Sequence, residues 1–308
     1  MRLLVIALVA QVLVAGVVAY FAVAGWPLLG DRPPAADAQP SGAPSVPAAR
    51  TDRFDGARAL ATARRLVALG PRPAGSDGAW AAAALLRPLL PHGRLEPLPG
   101  QPRLRNIVGE LPGRGAPIVL IAHYDTTPVP GYVGANNSAA AVGAVVELAR
   151  RLRSSPTTAP VVFLLTDGEE APDYPPKDFL ATALRGSKAA AAGSLGHTAR
   201  EVIVLDFIGQ RGLRIRRELN SDPALWSRLR GAAAAVGVGA VFPPGARGAI
   251  LDDHVPFRDR GIPAIDLIDF DYPCWQRACD TLDKLSERSI DATGEALMEL
   301  LARERARR

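Results

Sequence analysis

Hydrophobic positions along this chain follow two rhythms that alternate. Residues 116–122, 161–165, 202–208 and 264–268 are short, nearly continuous apolar runs of Ala, Val, Ile, Leu and Phe. Runs of this length suit strands buried on both faces, as in parallel sheets. Segments 58–69, 75–90, 138–152, 185–192, 225–236 and 289–303 are predicted helices, and Leu60, Ala63, Leu66 and Val67 line one face of the first. Residues 104–111 alternate as a further strand and turn at Pro112-Gly113. Strands alternating with helices predict an α/β fold of three layers, α/β/α, around a mixed, mostly parallel central sheet.

The pattern differs at the N-terminus. Residues 3–21 are almost unbroken apolar sequence, interrupted by Gln11 and preceded by Arg2. A helix of that length crosses a hydrocarbon core of about 30 Å. A signal anchor is expected, and Ala22-Val23-Ala24 keeps a cleaved signal peptide open as the alternative. Arg2 on the short side places the folded part outside the cytoplasm. The expected location is therefore the cell membrane in a single pass, or secretion if the segment is cleaved. A Pro, Ala, Ser and Gly stretch follows without apolar periodicity and reads as a tether. The expected organisation is 1–29 signal segment, 30–52 linker and 53–308 folded domain.

Composition adds bounds. Of 308 residues, 48% are hydrophobic and 22% charged, which excludes wholesale disorder. The net charge is +5, with part of the excess in Arg303, Arg305, Arg307 and Arg308. No basic helix interleaved with aromatics accompanies it, so no nucleic-acid partner is expected. The two cysteines, Cys274 and Cys279, form no CxxC zinc ribbon. Export makes a short-loop disulfide between them the expectation, with two free thiols as the alternative.

Chemistry collects where the apolar runs stop. His123 and Asp125 follow the 116–122 run, Asp167, Glu169 and Glu170 follow 161–165, and Asp206 lies at the end of the Val202–Leu205 core of the next. Asp252, Asp253 and His254 precede Val255, and Asp266, Asp269 and Asp271 attend the 264–268 run. Ligand groups of open α/β sheets gather beyond the C-terminal strand ends. Each piece alone also reads as a core His with its Asp, a solvated Glu pair or a helix N-cap. Together they predict one site of several carboxylates and an imidazole. Like charges so close need a cation or shared protons, and this donor set suits hydrolytic zinc.

With these segments in view the chain resembles metallopeptidase family 28, the zinc aminopeptidase type, and within it the glutaminyl cyclase-like branch. The resemblance rests on Arg72-Pro73-Ala74-Gly75-Ser76, His123-Tyr124-Asp125-Thr126, Gly134-Ala135-Asn136-Asn137-Ser138, Asp167-Gly168-Glu169-Glu170, Asp206-Phe207-Ile208-Gly209, Asp252-Asp253-His254-Val255-Pro256-Phe257 and Cys279-Asp280-Thr281-Leu282. It implies a phosphorylase/aminopeptidase-like fold and a zinc-dependent exopeptidase or glutaminyl-peptide cyclotransferase-like enzyme acting on peptide N-termini. Position by position, it implies a metal ligand at His123, with Asp125 supporting it, and another at Glu170. Glu169 takes the place of the general base or proton shuttle. Asp206 corresponds to a zinc ligand or a proton-network residue, Asp252 to a member of the same network, and Trp275 to an aromatic lining the substrate pocket.

Two positions depart from the family pattern. Asn137 stands where a bridging Asp is expected, and Gln276 where a ligand His is expected. Neutral amide oxygens are poor zinc ligands beside imidazole and carboxylate. Asn137 and Gln276 are therefore weak ligands at best, one zinc ion or none is expected, and two are not. A remaining site of His123, Asp206 and Asn137 would sit away from Glu170. The alternative to an enzyme is a catalytically inactive family member that binds peptides.

Overall fold

The computed structural model describes residues 45–154 and 159–306. The expected signal segment and most of the expected linker lie outside the described residues. Among the described residues no helix is long and apolar enough to cross a membrane.

The chain order is α1 (Gly56–Val67), α2 (Asp77–Leu86), β1 (Arg94–Leu98), β2 (Gln101–Leu111), β3 (Ile118–His123), α3 (Ala141–Arg153), β4 (Val161–Thr166), α4 (Arg185–Ala192), β5 (Glu201–Leu205), α5 (Pro223–Ala235), β6 (Ala264–Leu267) and α6 (Glu287–Ala306), joined by shorter turns. These six strands form one sheet in the order β1-β2-β4-β3-β5-β6, and Arg217–Glu218 and Ala246–Arg247 pair separately as a short two-stranded sheet. Strands β4, β3, β5 and β6 run parallel, and β1 and β2 add an antiparallel edge. The expected α/β/α architecture with a mixed, mostly parallel sheet is the one observed.

Strand periodicity explains the layers. Leu120, Ala122, Phe163, Leu165, Ile203 and Leu205 join one core with residues of α1, α2, α3, α5 and α6. Their neighbours Val119, Ile121, Val162, Leu164, Val202 and Val204 join a second core with Ala191 of α4, Phe257 and Ile262. Successive side chains of a strand point to opposite faces, so a strand with both faces covered reads as a continuous apolar run. A charge inside such a run has no solvated face to occupy. Polar groups are thereby displaced to the strand ends, where the site forms.

Several boundaries moved for local reasons. Asp55, Ser76 and Asp222 accept the backbone N–H of Arg58, Ala79 and Leu225 at 2.9, 3.1 and 2.7 Å, which sets the starts of α1, α2 and α5. The 202–208 run leaves the sheet after Leu205: the Asp206 N–H still donates to the Leu267 carbonyl at 3.0 Å, and Phe207 then turns with a left-handed φ of 43°. The edge strand β1 was not expected; Pro97 lies in it beside a register shift, a position an edge tolerates.

Candidate active site

His123 ends β3, the Glu169-Glu170 pair follows β4, and Asp206 follows β5, so three adjacent parallel strands deliver their polar residues to one side of the sheet. Asp125 organises two of them. Its Oδ1 accepts the backbone N–H of Glu169 and its Oδ2 that of Glu170, each at 3.2 Å. The same Oδ1 lies 3.5 Å from Nδ1 of His123. Arg72 clamps this loop from behind: its buried guanidinium donates to the carbonyls of Tyr124, Gly70 and Val133, and burial pulls its pKa down to about 10.

The two adjacent glutamates have different surroundings. Glu170 accepts from Asn137 Nδ2 at 2.8 Å on one carboxylate oxygen and from Gln276 Nε2 at 3.2 Å on the other. Asn137 directs its remaining carbonyl to His123, with Oδ1 2.6 Å from Nε2. Since the amide N–H already faces a carboxylate, the network assigns the imidazole proton to Nε2, which donates to Asn137. Glu169 instead is only 7% exposed, and its Oε2 lies 4.0 Å from His123 Nδ1.

Asn137 is held by its backbone. Gly134 adopts a left-handed φ of 56°, and a Cβ there would lie 2.0 Å from the carbonyl oxygen of Asn137. Asp280 then accepts the N–H groups of Asn136 at 2.8 Å and Asn137 at 3.1 Å, and the hydroxyls of Tyr272 at 2.8 Å and Tyr132 at 3.2 Å. Gln276 comes from the loop closed by the Cys274–Cys279 disulfide and has a left-handed φ of 47°. Beside it Trp275 packs on Phe270 with ring centroids 4.9 Å apart and stays 38% exposed.

A second group of acids lies beyond Glu169. Asp206 Oδ1 is 3.7 Å from His123 Nε2. Asp252 is buried, and burial together with the charges of Asp206 and Asp253 pushes its carboxyl well above the usual range. Asp266 lies within β6 rather than after it, fully buried, with neither carboxylate oxygen hydrogen-bonded. Burial, reinforced by Asp252 and Asp206, pushes Asp266 well up too. Glu169 follows the same direction through burial, with Glu170, Asp252 and Asp253 adding and His123 opposing, while burial takes Glu170 up to about 7. At His123 burial opposes the charged form, but Asp125, Asp206 and Glu169 outweigh it and the pKa rises.

Other expected acids go elsewhere. Asp253 turns away and accepts from Thr166 Oγ1 at 2.5 Å, His254 lies 3.3 Å from Glu218, and Asp269 accepts from Gln210 at 2.7 Å. Asp271 is exposed beside Arg247 at 3.3 Å. Asp167 accepts the backbone N–H of Arg105 at 3.2 Å. Sequence reasoning missed Asp280 as the group that fixes Asn137, although it stands in the Cys279-Asp280-Thr281-Leu282 segment.

A three-layer α/β sheet with imidazole and carboxylates at its strand ends defines an enzyme of the aminopeptidase and glutaminyl cyclase kind. Residues 106–301, more than half of the chain, match the model of Peptidase family M28; the chain belongs to that family. A glutaminyl-peptide cyclotransferase-like protein of Mus musculus is 30% identical over 234 residues, covering 64% of this chain and 60% of the relative, so the match spans less than two thirds of that protein. Among solved structures, a glutaminyl cyclase from an Acidobacteriales bacterium is 29% identical with a TM-score of 0.73, covering 88% of this chain and 100% of its own. A Zn-dependent exopeptidase from Parabacteroides distasonis, 24% identical with a TM-score of 0.73 over 83% of this chain and 99% of its own, shares the fold.

The family implies zinc, and the donor set tests that implication. Ligand atoms about 2.0–2.2 Å from a tetrahedral zinc lie roughly 3.4 Å from each other. The 3.7 Å from His123 Nε2 to Asp206 Oδ1 approaches that separation, but the 2.6 Å to Asn137 Oδ1 is a direct hydrogen bond. Both oxygens of Glu170 already accept N–H groups. Among the described residues no group of three or more His, Cys, Asp or Glu side chains is placed to hold a metal ion. The residues present do not fit a zinc held at Glu170.

Proposed function

We propose that this chain processes peptide N-termini outside the cytoplasm, with cyclisation of N-terminal glutamine as its reaction. The observation that carries the reading is Glu169: a buried carboxyl 4.0 Å from His123 Nδ1, raised in pKa by burial with Glu170, Asp252 and Asp253 adding to it. A buried carboxyl whose proton is held more tightly than in water is a group that general acid–base catalysis can use.

In the reaction the α-amine of a glutaminyl peptide attacks its own γ-carboxamide carbon. A C–N bond closes a five-membered lactam, the amine proton passes to Glu169, and Glu169 returns it to the departing ammonia. The products are a pyroglutamyl peptide and ammonia. The nucleophile is tethered to its electrophile, which supplies a large effective concentration. Peptide hydrolysis asks more of the site, because an activated water must be generated, in metallohydrolases by a bound ion. The tethered nucleophile therefore favours cyclisation over exopeptidase action. Trp275 is the aromatic surface on which the substrate side chain rests in this reading. The Cys274–Cys279 disulfide supports an oxidising compartment, and the apolar run 3–21 supports a membrane tether.

The test incubates the purified chain with glutaminyl, leucyl and N-acetylglutaminyl peptides and follows them by mass. Loss of one ammonia from the glutaminyl peptide alone is expected. Release of the first residue from the leucyl peptide would make it an exopeptidase. Saturable peptide binding with neither reaction would support a second reading, an inactive peptide-binding domain, which the sealed Glu170 motivates.

A further inference from the structure

We propose that the Asn137–Glu170–Gln276 cluster is a metal-free anchor, in which two carboxamides hold the Glu170 carboxylate in place of an ion, so that the folded chain takes up no zinc there. This concerns the same site as the reading above, but its test counts metal rather than turnover, so the two can fail separately.

The argument rests on what each polar atom faces. An ion at Glu170 needs lone pairs directed at one point. Here the nearest groups of Asn137 and Gln276 are N–H donors, at 2.8 and 3.2 Å, one on each carboxylate oxygen. Hydrogen bonds to a charged acceptor are the stronger kind, and a bound ion would have to displace both. The carbonyl of Asn137 is not free either, since His123 Nε2 donates to it at 2.6 Å. Imidazole, carboxamide and carboxylate thus form one chain of matched donors and acceptors from His123 Nε2 through Asn137 to Glu170, with His123 Nδ1 left outside it.

The backbone fixes this arrangement from both sides. Asp280 pins the N–H of Asn137 at 3.1 Å, and the left-handed Gly134 allows the close approach of its carbonyl. On the other side Gln276 occupies the left-handed region at φ 47°, which costs an L-residue energy and marks an imposed conformation. The disulfide loop bearing Gln276 delivers its amide onto Glu170. Turning either amide over would set a carbonyl oxygen against the carboxylate, so neither side chain can offer an ion its oxygen while the network stands.

The measurement is zinc content by elemental analysis after folding in excess zinc and gel filtration, with melting in the presence of zinc or chelator. Wild type is expected to retain less than a tenth of a zinc per chain (~0.1, against the single ion of a structural site) and to melt at the same temperature in both. The Asn137→Asp, Gln276→His double variant is expected to retain about one zinc and to gain a zinc-dependent rise in melting temperature. About one tightly held zinc in wild type, or a melting temperature lowered by chelator, overturns the proposal. So does a folded double variant that still takes up none. Should the double variant not fold, Gln276→His alone, on the part-exposed loop, is the substitute: some uptake supports the proposal and none overturns it.

Discussion

The two ends of the acid cluster differ in how their carboxylates are satisfied. At Glu170 every carboxylate oxygen meets an amide N–H, and Asn137 links the pair to His123. At the Glu169 end neither carboxylate oxygen of Asp266 has a hydrogen-bond partner, and burial raises Glu169, Asp252 and Asp266 alike. An unpaired buried polar group costs stability, and such costs persist where a site uses the group. The contrast separates the adjacent glutamates: Glu170 is held by two amides, and Glu169 is the one that the proposed reaction uses to move a proton.

The largest effect that tests this contrast comes from neutralising each glutamate in turn. Glu169→Gln is expected to lower turnover of a glutaminyl peptide by roughly 10²- to 10⁴-fold without lowering the melting temperature, because a neutral amide of the same shape replaces a carboxyl whose charged form burial disfavours. Glu170→Gln is expected to act on stability instead. Its new NH₂ meets an N–H donor already present, leaving one clash of donors at a cost of about 1–3 kcal/mol. Thermal melts and steady-state kinetics of both variants check the pair. Equal losses of turnover at unchanged stability would erase the distinction.

Asp266 gives a smaller effect with a pH signature. Its folded pKa lies above the unfolded value, through burial first and then the charges of Asp252 and Asp206. The folded state therefore holds the proton more tightly, a stabilising term fully present below the unfolded pKa of about 3.9. It is lost as pH rises through the folded value. Asp266→Asn removes that dependence. The variant is expected to be more stable than wild type by about 1–2 kcal/mol at neutral pH, the order of one unpaired buried group, and to converge with it near the unfolded pKa. Urea melts across that range check it; a constant difference at every pH would show that Asp266 does not titrate between the two states.

How much of this was legible follows from the same physics. The apolar runs of β3, β4 and β5 announced a sheet covered on both faces, and the acids after them announced the side on which a site would form. Asn137 and Gln276 could be singled out because a family pattern has ligands at those places, but not what their amides face. That depends on Gly134, on Asp280 and on the turn at Gln276, which bring together residues more than a hundred positions apart. Asp280 gave no local signal, because its partners are backbone N–H groups and two tyrosines. Asp266 did give one, a charge inside an apolar strand, yet it was grouped with the acids that follow.

The smallest expected effect concerns the loop that joins the two ends of the site. Cys274 and Cys279 close a short loop, so the chain-entropy contribution of the disulfide is at most about 2 kcal/mol. Its effect on the pocket is a separate matter, since Trp275 and Gln276 both ride on it. Reduction by a mild thiol is expected to raise KM for a glutaminyl peptide about threefold, roughly 0.7 kcal/mol, with kcat nearly constant, as expected for lost uniform binding. Cys279 is exposed and open to the reagent. Kinetics with and without thiol, repeated on a Cys274→Ser, Cys279→Ser variant as a control that should ignore the reagent, check the assignment. A fall in kcat instead would mean that the loop acts on Glu169 through Glu170, and that the scaffold and the proton carrier are less independent than their hydrogen bonds suggest.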